Sequence, residues 1–322
     1  MQPLSVPVFV SLAESGELEE RAAAARESLA ACRLCPRECG VDRLAGELGY
    51  CRAGRAARVY RHMPHPGEEP PISGTNGSGT IFWSHCTMSC CYCQNYRMSQ
   101  HGDGADRTIV ELAAMMSRLW DAGCHNINHV SPTQFLPHVL ESLVLAWRRG
   151  VLLPVVWNTS GYESRFALGL LDGVVDVYLS DVRYSSGDAA GKYSDAPDYV
   201  PVSRIALAEM HRQVGDLICD RRGVAERGLI VRHLVLPNGH AGTRDAMRFI
   251  ARELGARTHV SLMAQYYPAC RALEFPELAR RITREEWAEA QDALESAGLE
   301  HGWVQDYPED LSPIAGTEIT AD

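Results

Sequence analysis

Thr80-Ile-Phe-Trp83-Ser-His85-Cys86-Thr-Met-Ser-Cys90-Cys91-Tyr92-Cys93 is the stretch on which the reading of this chain turns. A short apolar run, Thr80 to Trp83, feeds a loop whose cysteines Cys86, Cys90 and Cys93 are spaced C-x3-C-x2-C, with Cys91 interposed. Three thiolates on one tight loop can hold three irons of a cubane and leave the fourth iron without a protein ligand. An open metal position suits a catalytic site, because structural sites are closed by protein ligands. A zinc knuckle with one ligand missing is the alternative reading of the spacing.

Downstream of this loop, short apolar runs alternate with helical stretches. Strands are expected at Thr80 to Trp83, Asn126 to Val130, Leu153 to Trp157, Val175 to Leu179, Leu229 to Leu236 and His259 to Met263. Helices are expected at Ile109 to Ala122, Gln134 to Arg149, Ser164 to Leu171, Val202 to Val214, Thr243 to Leu254 and Arg284 to Ala297. This alternation predicts βαβ units and a parallel sheet. About six such units make an α/β fold of the partial (β/α)6 TIM-like kind, with its site at the C-terminal ends of the strands.

Upstream, residues 12 to 31 read as an acidic, alanine-rich helix. Residues 32 to 78 are rich in Cys, Gly, Pro and Arg, and His62 to Gly79 is full of turn residues. Cys32-x2-Cys35-x3-Cys39, followed by Cys51, supplies four thiolates. They suit a tetrahedral zinc site or a second iron–sulfur cluster, and Gly46, Gly49 and Gly54 allow close backbone approach. Because all four ligands come from the protein, an accessory or structural role is expected there. The organisation read from this is a helix and Cys-rich metal-binding extension over 1–78, a catalytic unit over 79–305 and a tail over 306–322.

Composition narrows the class. The 322 residues are 46% hydrophobic, enough for a substantial core, and no apolar run is long enough to span a membrane. The segment Leu4 to Leu12 lacks the basic flank and cleavage site of a signal peptide. A net charge of −10 disfavours a nonspecific nucleic-acid binder. The 11 cysteines fall mostly in two tight groups, as metal sites do in a reducing cytoplasm, which is the expected location. Lys192 is the single lysine among many arginines, a bias of the kind GC-rich, antibiotic-producing actinobacteria show.

The segments CRLCPREC, GELGYCRAG, CQNY, INHVSPTQ, WNTSGYES, VYLSDVRY, RGLIVRHLVLPNG and SLMAQYYP, together with the C-x3-C-x2-C loop, cover roughly residues 32 to 305. Over this span the chain resembles the radical S-adenosylmethionine (SAM) superfamily, in particular the PflX-like branch related to pyruvate formate-lyase activating enzyme. The resemblance implies a 4Fe–4S cluster on Cys86, Cys90 and Cys93, and reductive cleavage of SAM to a hydrogen-abstracting 5′-deoxyadenosyl radical. It also implies a reducing partner such as flavodoxin or ferredoxin. Tyr92 would pack near the adenine. Ser131 and Thr133 stand where the superfamily binds the SAM amino group, although they equally suit a helix cap. Asn158, Thr159 and Ser160 would line the ribose and methionine side, or only shape a turn. Asp181 and Arg183 match an Asp-x-Lys pair that holds the methionine moiety, with arginine replacing lysine; a surface ion pair is the alternative. His233 matches a SAM-contacting histidine. By the same pattern Cys91 is not a ligand.

For the radical's use, the expectation is epimerisation of a small, sugar-containing natural product, as in orthosomycin-type antibiotic biosynthesis. Cys270 stands where the PflX-like pattern has histidine, and a thiol returns a hydrogen atom readily, so Cys270 is the candidate donor. A small buried residue without chemistry is its alternative. The other functional expectation is activation of a glycyl radical enzyme. His129, Gln265 and Tyr266, at predicted strand ends, are candidates for binding substrate hydroxyls.

Overall fold

The structure is a computed structural model that describes residues 6–308. Ten strands form it: β1 Ala57–His65, β2 Ser78–Trp83, β3 Ala105–Arg107, β4 Ile127–Val130, β5 Val155–Thr159, β6 Val177–Asp181, β7 Ile218–Cys219, β8 Ala225–Leu234, β9 His259–Met263 and β10 Gly302–Val304. Nine lie in the order β10-β9-β8-β6-β5-β4-β2-β1-β3, and β7 pairs with β8 alone. From β2 through β4, β5, β6, β8 and β9 to β10 every pairing is parallel. The molecule is therefore a mixed α/β fold around a large, mostly parallel sheet. Seven strands, not the expected six, make the parallel run, because β10 adds to the edge after Arg284–Ser296.

Local chemistry explains the connections. Helix Ile109–Asp121 starts at Thr108, whose side chain accepts from Glu111 N–H while Glu111 reaches back to the Thr108 N–H. Its buried residues Leu112, Met115, Met116 and Leu119 recur at helical spacing and face the sheet. Helices Leu136–Arg148, Arg165–Leu171, Tyr199–Val214, Thr243–Phe249 and Arg284–Ser296 bury side chains in the same core, against Ile81, Trp83, Ile127, Trp157, Tyr178, Val231 and Leu262. The opposite sheet face takes none of these helices. Its Thr80, Asn128, Val156, Leu179, Ile230 and Ser261 are nevertheless buried, around a small apolar group that includes Ile72. One face thus builds the main core, and the other encloses an interior that is apolar around Ile72 and polar elsewhere.

Several elements depart from the sequence reading. Residues 12–31 are two helices, Phe9–Ser15 and Glu17–Glu27, because Gly16 takes a left-handed conformation that ends the first. The segment expected as a loop from His62 begins inside β1, which is antiparallel to both β2 and β3. β1 gives no alternating signal because it is half-exposed along most of its length, contains Pro64 and shifts register between Val59 and Arg61. Phe9, Leu18 and Leu29 join the main core. The expected tail lies outside the described residues beyond residue 308. Among the described residues, no helix is long and apolar enough to cross a membrane.

Candidate active site

The loop after β2 is held by backbone hydrogen bonds from every side. His85 N–H donates to the Met98 carbonyl at 2.8 Å, Ser89 N–H to Ser194 at 3.2 Å and Cys91 N–H to Tyr193 at 2.7 Å. The Gln100 amide donates to the Cys90 carbonyl at 2.7 Å, and Arg37 donates through Nε to the Thr87 carbonyl at 3.1 Å. The loop stands at the C-terminal end of the parallel strands. Cys90 is buried, Cys86 and Cys93 are partly so, and Cys93 Sγ lies 3.2 Å from Ser99 Oγ. Burial first, and the neighbouring Cys90 sulfur second, push the Cys86 thiol up to about 11 and the Cys93 thiol up to about 12. As free groups both are neutral thiols, so binding a metal ion there must expel their protons.

Beside Cys93 opens a cavity of about 170 Å³ lined by Tyr92, Asp181, Arg183, Arg232, Met263 and Gln265, among others. Asp181 and Arg232 occupy inward-facing positions at the ends of β6 and β8. Asp181 is gripped by two arginines: Arg183 Nη2 at 2.6 Å and Arg232 Nε at 2.8 Å. Arg232 also donates to Asn158 Oδ1 at 2.7 Å and approaches Glu68 and Glu69 at 3.5 and 3.8 Å. Burial raises both glutamates, Glu69 to about 7, and the Arg232 charge opposes that rise. Among the described residues, Arg183 Nε is buried without a hydrogen-bond partner. The loop after β5 approaches this network closely: Gly161 has φ +78°, and a Cβ there would overlap the Asp181 carbonyl.

The fold brings together Cys86, Cys90, Cys93, Tyr92, Asn158, Asp181 and Arg183 of the residues singled out by sequence. Tyr92 is buried and packs edge-on against Tyr184 and Tyr266. Ser131 adopts φ +54°, and its N–H donates to the Asn158 carbonyl at 2.9 Å. The Thr133 hydroxyl is spent on Glu163, which also accepts from Thr159 at 2.6 Å and from the Trp157 indole at 3.1 Å. The Ser160 carbonyl accepts from the Tyr199 hydroxyl at 2.8 Å.

His233 does not line the cavity. It follows Arg232 on β8, so strand alternation turns it away from the cavity. Its ring nitrogens meet the Val182 carbonyl at 2.7 Å and Thr243 Oγ1 at 3.0 Å, and burial lowers it to about 4. Arg232 faces the cavity in its place. Cys270 also lies outside the cavity lining. Its sulfur is 3.9 Å from Gln100 Oε1, and Arg271 N–H donates to the Cys91 carbonyl at 2.8 Å. His129 is fully buried on the helix-covered face, accepting from the Trp83 indole at 3.2 Å. Tyr266 is spent on the Leu278 carbonyl, whereas Gln265 does line the cavity. Sequence reasoning missed Arg232, Glu68, Glu69 and Glu163. The adjacent glutamates in Gly67-Glu-Glu-Pro70 were the one visible sign, hidden in a segment read only as turns.

The segment carrying the N-terminal cysteines meets the Cys86–Cys93 loop through Arg37, which donates to the Thr87 carbonyl. Cys32 and Cys35 are buried, Cys51 is half-buried and Cys39 is exposed. Among the described residues, no group of three or more His, Cys, Asp or Glu side chains is arranged about a common point as ligands of one metal ion are. Thiolates of a multi-iron cluster bind different irons and stand further apart than ligands of a single ion.

No family model matches the chain. It is 30% identical over 281 residues to the uncharacterized protein MJ0674 of Methanocaldococcus jannaschii, across 84% of this chain and 75% of that protein. The chain belongs to the family of that protein. Among solved structures it is similar to HydG, a maturase of the [FeFe]-hydrogenase, with a TM-score of 0.46 and 12% identity. That similarity covers 69% of this chain and half the length of HydG. TYW1 with a lysine–pyruvate adduct bound gives a TM-score of 0.39 and 10% identity over 67% of this chain and 73% of that one. Neither similarity assigns a role to any residue.

Proposed function

We propose that this chain is a radical SAM enzyme of the partial-barrel kind, with its 4Fe–4S cluster on Cys86, Cys90 and Cys93. The observation that carries the reading is the placement of these thiols at the C-terminal ends of the strands, beside a cavity that holds Tyr92, Asp181 and Arg183. The donor set fits. Three thiols supply three of four iron positions, and the buried, unpartnered Nε of Arg183 suits the carboxylate of an amino acid. When bound, the cluster supplies the electron that splits SAM and yields the hydrogen-abstracting radical.

The protein's own residues then bind and orient. Asp181 is held by Arg232 and in turn aims the Arg183 guanidinium into the cavity, and Tyr92 closes the wall next to Cys93. The tight fixing of the cluster loop keeps the reacting groups in register, as catalysis by positioning requires. After anaerobic reconstitution with iron and sulfide, the protein is expected to convert SAM to 5′-deoxyadenosine under dithionite, read by mass spectrometry. Alanine at Cys86, Cys90 or Cys93 should abolish this, and Cys91→Ala should not. Retained cleavage in any of the three would sink the assignment.

Within this class we carry forward epimerisation of a small, sugar-containing molecule, with Cys270 returning the hydrogen atom. Its thiol is half-exposed and reaches Gln100, whose amide holds the Cys90 carbonyl, so it stands one side chain from the cluster loop. Cys270→Ala is expected to make 5′-deoxyadenosine at the normal rate yet fail to release the inverted product. Normal epimerisation by this variant removes Cys270 from the mechanism. Hydrogen abstraction from a peptide glycine, with no small-molecule turnover, returns the assignment to activation of a partner protein.

A further inference from the structure

Arg43 is a buried charge that the proposed chemistry does not use. It is 1% exposed. Its Nε and Nη2 donate to the Gly54 carbonyl at 3.3 and 2.8 Å, and its Nη1 to the Gln134 carbonyl at 2.7 Å. These carbonyls satisfy its donors but carry no net charge. Among the described residues, no carboxylate comes within ion-pair distance of it. Its guanidinium also lies 5.9 Å from the centre of the Phe135 ring, a weak cation–π contact. Arginine does not escape burial by losing its proton, and a buried ion without a counter-charge costs several kcal/mol. The remaining neighbour of Nη1 is Cys32 Sγ at 3.8 Å, and the Arg43 charge also reaches Cys51.

A second, independent feature lies at the same place. A methyl group at Gly49 would overlap the Cys39 sulfur, so only glycine lets that sulfur sit against the segment carrying Cys51. Four separate thiols require neither a buried cation beside them nor a glycine cradle. An anionic centre that draws the four sulfurs together accounts for both.

We propose that Cys32, Cys35, Cys39 and Cys51 form a metal–thiolate centre of net negative charge, and that Arg43 is its counter-charge inside the fold. Four thiolates on one Zn2+, or on a 4Fe–4S cube, leave a net charge of about −2. The two metals share this chemistry. As each sulfur–metal bond forms, the thiol releases its proton to solvent, and the binding of Zn2+ or of a preassembled cube exchanges no electron. Arg43 is a positioning residue here: it touches the ligand set and stabilises its charge. The centre would bind the N-terminal segment to the cluster loop, which it already meets through Arg37 and Thr87. It does not depend on the radical SAM assignment.

The test uses the full chain carrying Cys86→Ala, Cys90→Ala and Cys93→Ala together, purified without oxygen. Zinc, iron and sulfide are then measured against protein. About one zinc, or about four irons with matching sulfide, per chain is expected to remain, and zinc and iron are told apart directly. A folded protein with neither metal above trace overturns the centre. In the same background, Arg43→Met is expected to weaken the metal 10–100-fold in competition with a chelator, with Arg43→Lys in between. If Arg43→Met does not fold, by circular dichroism, the chelator competition on Arg43→Lys decides. Unchanged metal affinity in the folded variant overturns the role of Arg43.

Discussion

Arg232 shows how much one side chain can carry at this site. Its guanidinium meets Asp181, Asn158, Glu68 and Glu69, and only 17% of the side chain is exposed. Removing the cation leaves buried carboxylates without compensation, which costs more than the pair contributes. Arg232→Met is expected to lower stability by about 3 kcal/mol in urea denaturation, and the loss should shrink when Glu69→Gln is added. Equal losses in both backgrounds would show that Glu69 is not part of the network. Arg232 and His233 are adjacent in sequence and share a resemblance-bearing segment. Which of the two faces the cavity follows from strand alternation, and the register that sets it is a property of the whole sheet.

Among the elements, helix Ile109–Asp121 bridges β3 and β4 and packs against the sheet. Its capping box at Thr108 and Glu111 is exposed and far from the cavity. Thr108→Ala is expected to cost about 1 kcal/mol of stability while leaving the proposed SAM cleavage at the wild-type rate. A parallel loss of cleavage would mean that this helix does more than support the sheet. This element was fully legible beforehand, because a cap, a helical apolar stripe and a clean stop coincide within 14 residues. β1 was not, because a half-exposed strand with a proline and a register shift lacks a period of two.

Across the whole molecule, buried ionisable groups set the response to pH. Burial lowers His233 from 6.5 to about 4, and His129 and His138 to about 3. Each is neutral when folded and takes up a proton more readily when unfolded. Their contribution is therefore complete above pH 6.5 and is lost as pH falls toward 4 and then 3. Glu69 and Asp176, both raised to about 7 by burial, act oppositely: their contribution is lost as pH rises toward 7. Wild type and His233→Gln should thus be compared as a pair by urea denaturation. The stability gap between them is expected to close by about 3 kcal/mol on going from pH 7 to below pH 4. Parallel curves would mean that burial does not shift the His233 pKa between the unfolded and the folded protein.

Residue type and short-range spacing determined the cluster loop, the four N-terminal thiols, six parallel strands and the helices between them. Those signals are local: a thiol triplet, an apolar run or a cap is complete within a few residues. Only the tertiary structure decided that Arg232 rather than His233 faces the cavity, that Glu68 and Glu69 approach Arg232, and that Cys270 meets Gln100 beside the Cys86–Cys93 loop. It also decided that Arg43 is buried beside Cys32. Each of these is a pairing between residues distant in sequence, and its energy comes from burial and from charges brought close, neither of which exists until the chain is folded.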